Sequence, residues 1–129
     1  MKIIYTKVFV NDQDKALKFY TQILGFLKKS DIVAGDYRWL TVVSPEDQNG
    51  IELILERNGN PAAKTYQKAI FEQSIPAANF GVSDVHIDYE RLKKLGVKFT
   101  IEPSEVMENV TIAVFDDTCG NLIQIQTVG

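Results

Sequence analysis

Apolar and polar side chains alternate along this chain with two different periods, which distinguish its strands from its helices. Residues 122–126, LIQIQ, alternate at the two-residue period of a strand that buries one face. Residues 13–24 instead repeat their apolar side chains at spacings of three and four, which is typical of an amphipathic helix. The pattern therefore predicts a mixture of strands and amphipathic helices.

The same succession of elements occurs twice, at an offset of 72 residues. Residues 10–12 (VND) and 82–84 (VSD) both end an apolar stretch and precede a helix, which makes Asp12 and Asp84 the expected N-caps. Both helices end in Leu-Gly followed by an apolar residue, and the glycine is expected to stop the helix in the left-handed conformation. The first helix is one residue longer, so the offset there is 71.

The offset is expected to return to 72 in the strands that follow. Leu40 and Val42 then align with Ile112 and Val114, and residues 51–53 align with residues 123–125. We therefore predict an α+β fold made of tandem βαβββ modules. Module 1 covers about residues 1–56 and module 2 about residues 77–129, with a linker helix in residues 57–76 that begins near Pro61.

The expected bounds of the elements follow from the same pattern. The first module has strands at Ile3–Val10, Leu27–Ile32, Tyr37–Val43 and Gly50–Glu56 and a helix at Gln13–Leu24. The second has strands at Ala78–Val82, Lys98–Glu102, Val110–Phe115 and Leu122–Thr127 and a helix at Val85–Leu95.

Alternation also divides the strand residues between two faces. One face is aliphatic and is expected to carry the helices. The other collects mixed polar and aromatic side chains: Tyr5, Lys7, Phe9, Trp39, Thr41, Glu52, Asn79, Thr111, Gln124 and Gln126. A polar second face is often only solvated. Its aromatic members and few charges favour the alternative, a curved, partly open sheet around a ligand cavity.

Composition excludes several classes of function. A chain of 129 residues with a net charge of −3 lacks the basic surface that nucleic-acid binding requires. No apolar run is long enough to span a bilayer, and the N-terminal residues do not form a signal peptide. Its one cysteine excludes an internal disulfide and Cys-rich zinc sites. We expect a cytoplasmic protein without membrane or nucleic-acid partners.

Residues 10–26 (VNDQDKALKFYTQILGF) and 116–126 (DDTCGNLIQIQ), together with the tandem modules, resemble the vicinal oxygen chelate superfamily. This superfamily includes glyoxalase I, extradiol dioxygenases, fosfomycin-resistance enzymes and bleomycin-resistance proteins. The resemblance covers nearly the whole chain, and it implies helices on the outer face of the sheet and frequent homodimers.

In metal-dependent members, four positions at the first and last strand of each module hold a divalent ion that acts as a Lewis acid. The resemblance places these positions at Tyr5, Glu52, Ala77 and Gln124. Only Glu52 is a good ligand, whereas a catalytic site needs about three His or carboxylate ligands. We therefore expect no metal and no other cofactor; a divalent metal is the alternative.

Two main functions follow from the resemblance, and whether the chain is an enzyme stays open. A third possibility is a binding or regulatory module whose cavity is vestigial. The first is binding or sequestration of a small organic molecule, a drug or a metabolite, by a homodimeric protein without a metal. The second is a lyase, isomerase or dioxygenase that uses a metal or uses Glu52 as a general base. Glu52 also has a purely structural interpretation, in which it pairs with Lys7 or Arg38.

Three further residues have side chains that could take part in catalysis or binding. His86 follows an N-cap on a helix and is expected at the surface, away from the candidate site. Cys119 lies in a turn, where exposure would make it reactive, although no neighbouring base is evident. Arg38 either binds an anionic group or is solvated. The segments 56–63 and 103–109 are expected to be loops at the rim of the cavity.

Overall fold

The computed structural model describes residues 1–128, which form two compact units that divide after Lys64. The first contains β1 (Tyr5–Val10), α1 (Gln13–Lys18, continued by a π-helical turn at Phe19–Ile23), β2 (Leu27–Ala34), β3 (Tyr37–Val43) and β4 (Glu52–Arg57). Helix α2 (Pro61–Glu72) spans the division. The second contains β5 (Ala78–Val82), α3 (Val85–Lys94), β6 (Phe99–Met107), β7 (Val110–Asp116) and β8 (Leu122–Thr127).

Each unit is built around a four-stranded sheet, and the two sheets have the same strand order. The first sheet runs β1-β4-β3-β2 and the second β5-β8-β7-β6. In both, the first strand pairs in parallel with the last, and the other neighbours are antiparallel. The α+β fold of tandem βαβββ modules is therefore confirmed.

The capping residues act at both helices as the sequence predicts. The Asp12 carboxylate accepts a hydrogen bond from the Lys15 amide at 3.0 Å, and Asp84 accepts one from the His86 amide at 2.9 Å. At the other ends, Gly25 has φ of +91° and Gly96 has φ of +90°. Only glycine adopts this left-handed conformation without steric strain, so both helices stop there.

The first helix differs from expectation in its last turn. We predicted one regular helix over residues 13–24, but residues 19–23 are π-helical, and the Leu24 amide donates to the Phe19 carbonyl five residues earlier at 3.0 Å. A π turn contains one residue more than an α turn, and such turns commonly accommodate a single extra residue. This accounts for the one-residue difference between the two helices.

Strand β6 is longer than predicted. It extends to Met107, so most of the expected rim loop 103–109 is strand, including Pro103. Proline lacks an amide donor and is tolerated only in edge strands or irregular pairings. Strand β6 is an edge strand, and its register with β7 shifts between Ile101 and Ser104, around this proline.

The predicted assignment of side chains to the two faces is correct for β3 and β4 of the first sheet but wrong for strand β7 of the second. Thr41 lies opposite Ile54 and Val42 opposite Leu53, as expected. In the second sheet Val114 lies opposite Gln124 and Ile112 opposite Gln126. Directly opposed residues of antiparallel strands share a face. Ile112 and Val114 therefore lie with the amides, and Thr111 and Ala113 lie on the other face, where we had placed Ile112 and Val114.

The aliphatic side of each sheet forms the core. The buried side chains of the first unit include Val8, Val10, Leu40, Val42, Leu53 and Leu55, and those of the second include Ala113, Phe115, Ile123 and Ile125. In the second unit Tyr89 of α3 contacts Phe99, with ring centroids 4.7 Å apart, and Phe99 contacts Phe115. Each large apolar side chain buried in this way stabilises the fold by about 1.5–3 kcal/mol.

None of the helices within residues 1–128 is both long enough and apolar enough to cross a bilayer.

Candidate functional site

The polar face of the first sheet brings most of the predicted site residues of that unit together. Strand β1 lies beside β4, with Tyr5 opposite Glu52 and Lys7 opposite Ile54. Strand β3 lies on the other side of β4, with Thr41 also opposite Ile54. By alternation along these strands, the face also includes Phe9 and Trp39. We call this surface the β4 face.

An aromatic pair covers the middle of the β4 face. The rings of Tyr5 and Trp39 meet edge to face, with centroids 5.2 Å apart and planes at 86°. Because Tyr5 is in β1 and Trp39 is in β3, the rings meet above the strand between them. Ile54 of that strand is only 5% exposed, whereas Tyr5 is 44% exposed. Trp39 therefore packs on the sheet, and Tyr5 leaves ring surface available for a ligand.

Glu52 is held by a buried hydroxyl group. The Thr41 hydroxyl, which is fully buried, donates to Glu52 Oε1 at 2.7 Å. The same Thr41 oxygen accepts a hydrogen bond from the Ser30 amide at 3.1 Å. The pairing of β2 with β3 is irregular between Lys28 and Ser30, and the Ser30 amide is thereby directed to a side chain.

This arrangement determines what Glu52 can do chemically. A hydroxyl group has one proton, and the Ser30 amide already occupies an acceptor site of the Thr41 oxygen. The proton therefore points to Glu52, and the Oε1 atom of Glu52 acts as an acceptor. Thr41 fixes one carboxylate oxygen, and the other oxygen remains available to a ligand.

The two structural partners suggested for Glu52 do not pair with it. Arg38 lies on the opposite face, where its guanidinium group bonds both carboxylate oxygens of Asp31 at 2.9 Å and Asp14 at 2.7 Å. Arg38 is therefore neither a free anion-binding group nor simply solvated. Its hydrogen bonds to Asp31 and then Asp14 raise the pKa of Arg38, and the same guanidinium group lowers the pKa of Asp31. Among residues 1–128 no ion pair joins Glu52 to Lys7.

The β4 face carries a second acid with a hydroxyl partner, which was not among the residues predicted from the sequence. The Tyr37 hydroxyl donates to Glu56 Oε2 at 3.0 Å. Loss of solvation and, secondarily, this hydrogen bond raise the pKa of Tyr37. Tyr37 and Glu56 follow the same alternation as Trp39 and Glu52, so extending the pattern by one step in each strand would have found them.

The second sheet brings together three predicted amides. Asn79 lies opposite Gln124, and the Asn79 amide donates to Gln126 Oε1 at 3.0 Å. The neighbours of these amides in β7 are Ile112 and Val114, so this face is more apolar than expected. Thr111 does not join it, because it lies on the face of Phe115.

The four positions implied by the metal-dependent relatives carry only one strong metal ligand, Glu52. Glu52 has Tyr5 beside it, a phenol whose neutral form is a poor metal ligand. The backbone partner of Gln124 is Asn79 rather than Ala77, whose amide bonds the Leu122 carbonyl instead. In the described part of the chain, no three His, Cys, Asp or Glu side chains are grouped so that they could hold an ion. This donor set does not fit a catalytic divalent metal.

His86 and Cys119 lie outside both faces. His86 is exposed on α3, as predicted. Cys119 is fully buried, so the exposure that would have made its thiol reactive is absent. The turn folds around the buried side chain of Asp117. Its Oδ1 atom accepts hydrogen bonds from the backbone amides of Cys119 and Asn121 at 2.7 and 3.0 Å. These bonds place the Cys119 side chain in the interior.

The chain has close relatives of known sequence. It is 62% identical over 125 residues to the uncharacterised protein YurT of Bacillus subtilis, covering 97% of this chain and 98% of that protein. It is 28% identical over 127 residues to a probable lactoylglutathione lyase of Vibrio cholerae, covering 96% and 88% of the two chains.

Among solved structures, the chain is similar to TnmS3, an antibiotic binding protein from Streptomyces sp. CB03234. The identity is 25%, the TM-score is 0.78, and the match covers all of this chain and 97% of that one. The model of the glyoxalase/bleomycin resistance protein/dioxygenase superfamily matches residues 2–125. With the repeated sheets and this match over almost its whole length, the chain belongs to the glyoxalase/bleomycin resistance protein/dioxygenase superfamily.

Proposed function

We propose that this protein binds a small organic molecule on the β4 face without using a metal. The observation that carries the proposal is the combination of an accessible aromatic pair with a carboxylate that a buried hydroxyl holds in place. Tyr5 and Trp39 provide apolar area for a flat ligand, and Glu52 provides a directed polar contact. The antibiotic-binding relative TnmS3 supports a ligand-binding function of this kind.

We also propose that the amides of the second sheet form a ligand-contacting surface within their own unit. Asn79, Gln124 and Gln126 would orient a ligand by hydrogen bonds, since amides supply both donors and acceptors. Thr111 is not included, because its side chain lies on the other face of the sheet. We also propose that the protein is a cytoplasmic homodimer, as its superfamily members commonly are.

Intrinsic fluorescence tests the binding function directly, because Trp39 is the single tryptophan of the chain. Titration with flat aromatic compounds should quench or shift its emission at micromolar concentrations. Tyr5→Ala should weaken binding by about 1–2 kcal/mol, since it removes one ring of the pair. Tyr66→Ala, at an exposed tyrosine on α2, is the matched control and should change nothing. If no compound in a broad panel perturbs Trp39, the binding function is wrong.

A second function is an enzyme in which Glu52 is a general base. The free oxygen of Glu52 and the lyase relative favour it. The test is an assay for lactoylglutathione lyase activity, with and without added divalent metal, on wild type and Glu52→Gln. Turnover that requires Glu52 would support the enzyme. Turnover that rises only with stoichiometric metal would contradict our interpretation of the four ligand positions.

A further inference from the structure

The β4 face carries two carboxylates, and neither is neutralised by a cation. Glu52 accepts from the Thr41 hydroxyl and Glu56 accepts from the Tyr37 hydroxyl. The ion pairs found within residues 1–128 join Arg38, Lys68 and Arg91 to other acids. A hydroxyl donor orients a carboxylate without removing its charge, so both groups stay available to a positive ligand.

Aromatic rings stand beside each of these carboxylates. Tyr5 is the neighbour of Glu52 across strands β1 and β4, and Tyr37 is hydrogen-bonded to Glu56. Trp39 contacts Tyr5, and the three rings belong to one face. The faces of aromatic rings attract cations, and the attraction increases where solvent is displaced. Rings and carboxylates on one surface are therefore complementary to the same kind of ligand.

The buried residues beneath this surface strengthen the attraction between its carboxylates and a cation. Between the two acids lies Ile54, which is almost completely buried, and Thr41 beside it is fully buried. Charges that lie against a buried apolar surface are less screened than charges in open solvent. The acids are four residues apart in one strand, which separates them by about 13 Å. A ligand with a flat ring system could therefore contact the ring pair and at least one acid at the same time.

From this arrangement we propose that the ligand of the β4 face is a flat aromatic cation, whose protonated nitrogen lies beside Glu52 and whose ring system packs on Tyr5 and Trp39. This inference rests on the proposed binding function and specifies its chemical class. Lys7 lies on the same face, opposite Ile54, and it opposes the binding of such a cation. Glu52 and Lys7 are thus expected to affect affinity in opposite directions.

The test uses three tricyclic probes of similar size, namely cationic proflavine, neutral acridone and anionic anthracene carboxylate. Their binding to the full chain is measured by calorimetry and by Trp39 emission at low salt. Proflavine should bind at least tenfold more tightly than acridone, as expected for one charge-assisted contact. Anthracene carboxylate should bind more weakly than acridone. The preference for proflavine should decrease as salt is added.

Two variants test the electrostatic contribution of the β4 face to proflavine binding. Glu52→Gln should weaken proflavine binding about tenfold and leave acridone unchanged. Lys7→Gln should strengthen proflavine binding about two- to fivefold, since it removes an exposed like charge. Glu46→Gln changes the net charge of the chain equally, but Glu46 is exposed in the connection between β3 and β4, so its effect should be negligible. A uniform loss of stability would not produce opposite signs at Glu52 and Lys7.

Failure of this inference differs from failure of the proposed function. If acridone binds as tightly as proflavine and both depend on Tyr5, the β4 face binds aromatic molecules but does not select cations, and the inference is overturned. The same holds if Glu46→Gln and Glu52→Gln have equal effects. If none of the three probes binds by either measurement, both the inference and the function on which it rests are overturned.

Discussion

Thr41 connects the backbone of an edge strand to the side chain that defines the proposed site. Its hydroxyl group accepts from the Ser30 amide and donates to Glu52, and it does so from a fully buried position. At the scale of single residues, the orientation of Glu52 therefore depends on the irregular pairing of β2 with β3.

Substituting Thr41 tests this connection. Thr41→Val keeps the side-chain shape but leaves the Ser30 amide without its acceptor, which should lower the free energy of unfolding by about 1–3 kcal/mol. The same variant should weaken proflavine binding, because Glu52 loses the donor that orients it. Urea unfolding and calorimetry give the two values. Thr41→Ser keeps the hydroxyl and should restore most of the binding; equal losses in both variants would contradict a role for the hydroxyl.

The ion pair of Asp31 with Arg38 predicts how the stability of the fold depends on pH. The hydrogen bonds of Asp31 to Arg38 lower its pKa below the ordinary value near 4, so the folded state binds this proton less readily than the unfolded state. The stabilisation is then present above about pH 4–5 and is lost as the pH falls through the lowered pKa. We expect Asp31→Asn to be less stable than wild type at pH 7, with the difference shrinking as the pH falls through the lowered pKa of Asp31.

The measurement for Asp31 is urea unfolding at a series of pH values. Asp36→Asn, in the neighbouring turn, is the control, because the ion pairs of the described chain do not include Asp36. A difference between wild type and Asp31→Asn that persists unchanged at acidic pH would show that the carboxylate charge is not the source of the stabilisation.

At the scale of elements, the turn between β7 and β8 is fixed by a buried polar cluster. Gln67 of α2 donates to the Cys119 carbonyl and to Asn121 Oδ1, both at 3.2 Å. Asn121 donates in turn to Asp117 Oδ2 at 2.8 Å. The cluster therefore attaches helix α2 to the start of β8, the strand that carries Gln124 and Gln126.

Gly120 gives this cluster a specific test. Its φ is +103°, and a Cβ atom at this position would lie 2.6 Å from Gln67 Nε2. Gly96 has φ of +90° with open space around it. Gly96→Ala should cost about 1–2 kcal/mol from backbone strain alone. Gly120→Ala should cost clearly more by thermal or urea unfolding, because Gln67 must also move. Equal costs for the two variants would show that the contact with Gln67 contributes nothing.

The sequence predicted the elements well because most of them follow one period. The two-residue alternation of β8 and the helical spacing of α3 both appear in the structure with bounds close to those expected. Strand β7 was assigned to the wrong face because we assumed that the repeat had returned to its first offset before that strand. A shift of one residue exchanges the two faces of a strand, so this small error moved Thr111 into the candidate site.

Prediction of the site was limited by partners that alternation does not specify. The pattern placed Tyr5, Trp39, Thr41 and Glu52 on one face, and the structure confirms that placement. It did not indicate that Arg38 pairs with Asp14, since that contact depends on how α1 lies on the sheet. Nor did it indicate the pair with Asp31, which depends on the register of β2 against β3. Nor did it reveal that Asp117 turns Cys119 inward, because turn residues are usually exposed.

At the scale of the whole molecule, we expect self-association. Each unit has an exposed edge strand with apolar side chains, Ile32 and Val33 in β2 and Val106 and Met107 in β6. Such edges are usually covered in the functional protein. Sedimentation at micromolar concentration should give twice the chain mass of 14.5 kDa. Val33→Lys should shift the equilibrium towards single chains if β2 forms the contact, and Val106→Lys tests β6 in the same way. A single-chain mass for wild type would contradict the homodimer.

The π-helical turn at residues 19–23 has a consequence for comparing this chain with its relatives. The turn accommodates one additional residue inside the helix. The helical residues before and after it therefore keep their orientation towards the sheet. When two superfamily sequences differ in length by one at this helix, the gap in their alignment belongs within this turn and not in the loop that follows. Placing it in the loop would shift the residues of the turn and Leu24 by one position relative to the other sequence. Buried and exposed residues of this turn would then be misaligned.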